Sequence, residues 1–103
     1  MGGCGTFWLS LKYPEVFRAL APCGALTDDD LSKFDLTPIQ GKPLLMVDGT
    51  ENMGFETVPR QVAYFNAHGV PAEMRVVAGG IHASTWAYAF DKVLDFFEGC
   101  IEK

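Results

Sequence analysis

Apolar and polar positions along this chain switch between two periods, and the switches mark its elements. Phe7, Trp8 and Leu11 recur at helical spacing between Gly5 and Tyr13, with Pro14 just beyond, which predicts an amphipathic helix closed by proline. "VFRALAPCGA", Val16 to Ala25, is a short apolar run ended by Pro22 and Gly24 and reads as a buried strand. "PLLMVDG", Pro43 to Gly49, is the clearest strand of the chain, an apolar run between a proline and a glycine. A second helix is predicted from Thr57 or Val58 to His68. Thr57 is its expected N-cap, Pro59 lies in its first turn, Gly69 is its stop, and Val58, Val62 and Phe65 line one face. In "AEMRVVAGG" Met74 and Val76 face one side and Arg75 and Val77 the other, the period of a third strand. A last helix from near Ser84 toward Glu102 repeats Trp86, Phe90, Val93, Phe97 and Ile101.

The order is therefore helix, strand, strand, helix, strand, helix. Strands alternating with helices pair in parallel through right-handed crossovers, so the expected fold is α/β with a three-stranded parallel sheet. At 103 residues the chain forms one domain, about half of a larger α/β layer, with room to bury about 65% of its unfolded surface.

Composition narrows the partners. A net charge of -5 argues against nucleic acid and anionic membrane as the main partner, and no apolar run is long enough to span a bilayer. The three cysteines, Cys4, Cys23 and Cys100, form neither a CxxC pair nor an even disulfide framework, and read as reduced thiols of a cytoplasmic protein. Thr27 to Asp30, "TDDD", lacks the spacing of a calcium loop and reads as a solvated cap, so no metal site is expected. His68 ends a helix, where a cation suits the carbonyl end of the dipole.

Candidate chemistry lies beyond the carboxyl ends of the strands, where open α/β sheets gather their sites. After "PLLMV" come Asp48, Gly49, Thr50, Glu51 and Asn52, and after "RVVAGG" come Ile81 and His82. An acid at one strand end and a histidine at the next is the arrangement that orients and charges an imidazole base.

These stretches resemble the second half of an α/β-hydrolase, specifically the putative-esterase family of tributyrin, S-formylglutathione, feruloyl and acetylxylan esterases. "MGGCGTFWLSLKYPEVFRALAPCGAL" is similar to the segment that follows the nucleophile elbow G-x-S-M-G-G, with Lys12-Tyr13-Pro14 and Phe17 at the helix end and Cys23 to Leu26 in place of S-G-A-L. "DGTENMGFET" resembles the family's G-T-E-D stretch, which carries the acid. "GGIHASTW" resembles its G-G-H-x-W, which carries the histidine.

The resemblance implies hydrolysis of a small-molecule ester through an acyl-serine, without cofactor. It makes His82 the base and the Met1 amide part of the oxyanion hole. Asn52 stands at the matched acid position, with Asp48 and Glu51 as alternative acids. Cys4 lies inside the helix, beyond the elbow, and is not the expected nucleophile. The family's serine would immediately precede Met1, so these 103 residues alone are expected to be inactive, whether as a truncation, a gene fragment or a misassigned start. The short connection from Leu26 to Pro43 keeps peptidase-like and dienelactone-type hydrolases open as neighbouring groups. A second expectation is a non-catalytic binding module that self-associates through an exposed sheet edge.

Overall fold

The computed structural model describes residues 2–24 and 31–102, the side chains at 82–86, 88 and 102 excepted. The chain is α/β. Helix α1 (Gly2–Lys12) is followed by a turn at 14–16 and a bridged segment as far as Gly24, and from Leu31 by two 3-10 turns (Leu31–Lys33 and Thr37–Ile39). Then come strand β1 (Leu44–Gly49), a 3-10 turn (Phe55–Thr57), helix α2 (Val58–Ala67), strand β2 (Ala72–Val77) and helix α3 (His82–Glu102). No helix among the described residues is long and apolar enough to cross a membrane.

β1 and β2 pair in parallel, Leu44 opposite Ala72 through Gly49 opposite Val77. Every residue of β1 is buried, because helices cover both of its faces. Leu44 and Met46 join Phe7, Val58 and Phe65 in one apolar cluster, while Leu45 and Val47 join Ala89 in the other. β2 shares both clusters through Met74 and Val77, the alternation expected from its sequence, but Val76 is exposed.

The first predicted strand, Val16 to Ala25, does not form a regular strand over its described residues, which end at Gly24. Leu20 and Cys23 make only isolated parallel bridges, to Leu44 and Val47. Leu20 N–H donates to Pro43 (3.0 Å), Leu45 N–H to Leu20 (2.9 Å), Val47 N–H to Pro22 (3.0 Å) and Gly24 N–H to Val47 (2.6 Å). Between these bonds, Pro22 has no N–H to give to β1, so the ladder breaks in its middle. Among the described residues the sheet thus has two strands and a bridged flanking segment.

Three helical expectations also change. In α1 the buried face is Phe7, Ser10 and Leu11, whereas Trp8, turned about 100° from Phe7, is 66% exposed. Phe7 stands edge-on to Phe34 (5.1 Å) and Phe65 (5.8 Å), and the Ser10 hydroxyl donates to the Phe7 carbonyl (2.6 Å), which satisfies it without water. Thr57 occupies the cap position of α2 but makes no side-chain cap, because the preceding 3-10 turn runs into the helix and gives Thr57 helical angles. The C-terminal stop is as predicted. Gly69 has φ +84°, and the Val70 amide turns back to the Phe65 carbonyl at 2.9 Å.

α3 begins at His82, two residues before the expected Ser84, and is rotated from its predicted face. Ala89, Val93 and Phe96 pack on the sheet and Cys100 is buried, whereas Phe90 and Ile101 are exposed. Ala89 is small enough to let the helix approach β1 closely, and a phenylalanine there would hold it off. The Trp86 side chain and the Thr27 to Asp30 run lie outside the described residues.

Phe65→Ala removes the ring shared by α1, α2 and β1, and is expected to cost about 3–5 kcal/mol in urea unfolding. Trp8→Ala is expected to cost less than about 1 kcal/mol, and equal losses from the two would contradict this packing.

Candidate functional site

Backbone hydrogen bonds carry the β1–β2 pairing beyond the strand ends. Thr50 N–H donates to Val77 (3.1 Å) and Glu51 N–H to Gly80 (3.0 Å). In the other direction Gly79 N–H donates to the Thr50 hydroxyl (2.8 Å). Gly79, at φ +74°, supplies the left-handed turn that brings Gly80 back toward Val77, where its amide donates at 3.0 Å. The loop after β1 and the turn after β2 therefore lie side by side, as the parallel reading requires. His82, two residues beyond Gly80, opens α3, and its imidazole lies outside the described side chains.

At the edge of this stitched pair stands Asp48, fully buried. Its Oδ1 accepts from the Gly49 amide at 2.8 Å and from Asn52 Nδ2 at 2.7 Å. Its Oδ2 is buried and has no hydrogen-bond partner among the described residues. A buried carboxylate oxygen without a donor is costly, and native structures seldom keep one without a use. Asn52 reaches Asp48 because the loop folds back at once, its own N–H donating to the Gly49 carbonyl at 3.0 Å.

Gly24 lies beside that amide. A Cβ there would lie 3.7 Å from Asn52 Nδ2, and the backbone at φ +94° favours glycine in any case. Beside it, burial first and the Asp48 charge second push the Cys23 thiol above its ordinary range. All three cysteines are free thiols, Cys4 half-buried on α1.

The three acid candidates are thereby distinguished by position. Asp48 is the buried carboxylate, Asn52 is a hydrogen-bond donor to it, and Glu51 is exposed, joined to the turn through its backbone. The Met1 amide lies outside the described residues. Sequence reasoning missed the Thr50 hydroxyl, Gly24 and Cys23 as neighbours of the site. Gly24 and Cys23 had a legible signal, since both end the apolar run that flanks β1. Among the described residues no group of three or more His, Cys, Asp or Glu is placed to hold a metal ion. Compared with models of known protein families the chain matches none, and no curated protein matches it.

The charge on Asp48 opposes ionisation of Cys23, so removing it should let the thiolate form at lower pH. In Asp48→Asn the midpoint of the pH profile for iodoacetamide alkylation of Cys23, followed by peptide mass spectrometry, is expected to fall. The rate at about pH 8.5 should rise roughly two- to tenfold. An unchanged midpoint, or one moved upward, would contradict the coupling.

Proposed function

We propose that the carboxyl ends of β1 and β2 form the acid–base half of a serine ester hydrolase site, with His82 as the base and Asp48 as its orienting acid. One observation carries the reading. The only carboxylate oxygen among the described residues that is buried without a donor, Asp48 Oδ2, stands at the end of the strand whose loop is stitched to the turn preceding His82. A charged acceptor in that position suits an imidazole N–H, fixing its tautomer and stabilising the imidazolium that forms in catalysis.

Relative to the esterase pattern, carboxylate and amide are rearranged. The matched acid position holds Asn52, and the carboxylate stands four residues earlier at Asp48, with Asn52 as its clamp. Occupying Oδ1 with two donors leaves Oδ2 as the oxygen for the base.

In the complete reaction a serine Oγ attacks the ester carbonyl and gives its proton to His82. The alcohol leaves with that proton, and water, deprotonated in turn by His82, releases the acid from the acyl-serine. In the esterase pattern the serine stands immediately before the position that Met1 matches, and the amide at that matched position contributes to the oxyanion hole. The substrate is a small ester and no cofactor takes part.

The chain has two histidines, which makes the acid–base pairing directly readable. His68 serves as internal reference, its Nδ1 2.9 Å from the Tyr64 carbonyl and its ring stacked on Tyr64 at 4.0 Å. In long-range ¹⁵N–¹H spectra, Asp48→Asn is expected to shift the imidazole nitrogens of His82 and leave those of His68 in place. Superimposable His82 signals in parent and variant would overturn the proposal.

A further inference from the structure

The rotation of α3 leaves an apolar stripe facing solvent. Exposed Ala87, Phe90 (51%), Leu94 (51%) and Ile101 (68%), with half-buried Phe97 among them, follow one another at spacings of three and four residues. That is the a/d seam of a two-helix coiled coil, about two heptads long. A groove of about 220 Å³ runs along one side of its C-terminal half, between Phe97 and Ile101 and the Val16–Ala19 stretch, with Val16 69% exposed and Arg18 also on the surface. The other side of the seam carries exposed Asp91, Asp95 and Glu98, with exposed Lys92 farther round toward the packed face, so it is acidic on balance. The seam thus separates an acidic flank from a flank bearing a cation.

We propose that this face binds a second copy of the chain, with the two α3 helices parallel about a two-fold axis running along them. Charge arrangement selects both the occupant and its direction. A two-fold axis across the helices would run them antiparallel and set acidic flank against acidic flank, Asp91 against Glu98 of the partner subunit, which repels. An axis along the helices exchanges the flanks. Each Glu98 then faces Arg18 of the partner subunit at the level of the groove, twice by symmetry, while Leu94 and Phe97 meet their own counterparts across the seam. The same surface is complementary to itself in that one orientation. This dimer rests on α3 and the Val16–Ala19 stretch, and is independent of the hydrolase reading.

The test is sedimentation velocity on the 103-residue chain from micromolar to millimolar concentration at physiological ionic strength. The parent is expected to pass from monomer to dimer. Leu94→Glu should remain monomeric with unchanged circular dichroism. Arg18→Glu should weaken the dimer by about tenfold or more in Kd, and combining it with Glu98→Arg should restore most of the loss. These exposed substitutions leave the core intact. A parent that stays monomeric throughout, a dimer indifferent to Leu94→Glu, or one that Arg18→Glu tightens or that the charge exchange fails to restore would overturn the proposal.

Discussion

The parallel pairing of β1 with β2, continued past both strand ends by the amides of Thr50, Glu51 and Gly79, is the constraint on which the rest of the molecule depends. Parallel strands share a direction, so their carboxyl ends emerge at one edge, and whatever follows them is forced into proximity. The crossover through α2 costs chain length, and covering β1 on both faces costs apolar residues. In return, Thr50 and Gly79, 29 residues apart in sequence, become neighbours fixed by backbone geometry. A site built on such a scaffold inherits the rigidity of the sheet, which side-chain packing alone would not supply.

Asp48 stands buried at the end of that scaffold. Burying a carboxylate is unfavourable by several kcal/mol unless its oxygens are satisfied, and among the described residues Gly49 and Asn52 satisfy only one of them. The same carboxylate bears on the neighbouring Cys23 thiol, which burial first and the Asp48 charge second push above its ordinary range. An amide clamp on one oxygen, with the second left to accept, is the electrostatic preparation an imidazole partner needs. Glu51, out in solvent, would be screened and mobile in the same role.

Much of this was legible in the sequence. The apolar run from Leu44 to Val47 is continuous because β1 is buried on both faces, and the Gly69 stop and the proximity of the two loops follow from local chemistry and strand direction. What was not legible depends on long-range fit. Trp8 and Phe90 carry the hydrophobicity expected of core residues, yet the closer approach allowed by Ser10 and Ala89 puts those smaller residues inside. The Val16 to Ala25 run has the composition of a strand, but the one missing N–H at Pro22 interrupts its ladder. That Asn52 turns its amide onto the buried Asp48 depends on how the loop folds back, and spacing along the chain does not encode that.

A double-mutant cycle on Asp48 and His82 tests most directly whether the two strand ends form one site. Urea unfolding of the parent, Asp48→Asn, His82→Gln and the double variant gives the coupling between the two side chains. If Asp48 Oδ2 is the acceptor for the His82 imidazole, the single losses are non-additive by about 0.5–3 kcal/mol, because either substitution alone removes the bond they share. Losses that add to within about 0.3 kcal/mol would contradict the account.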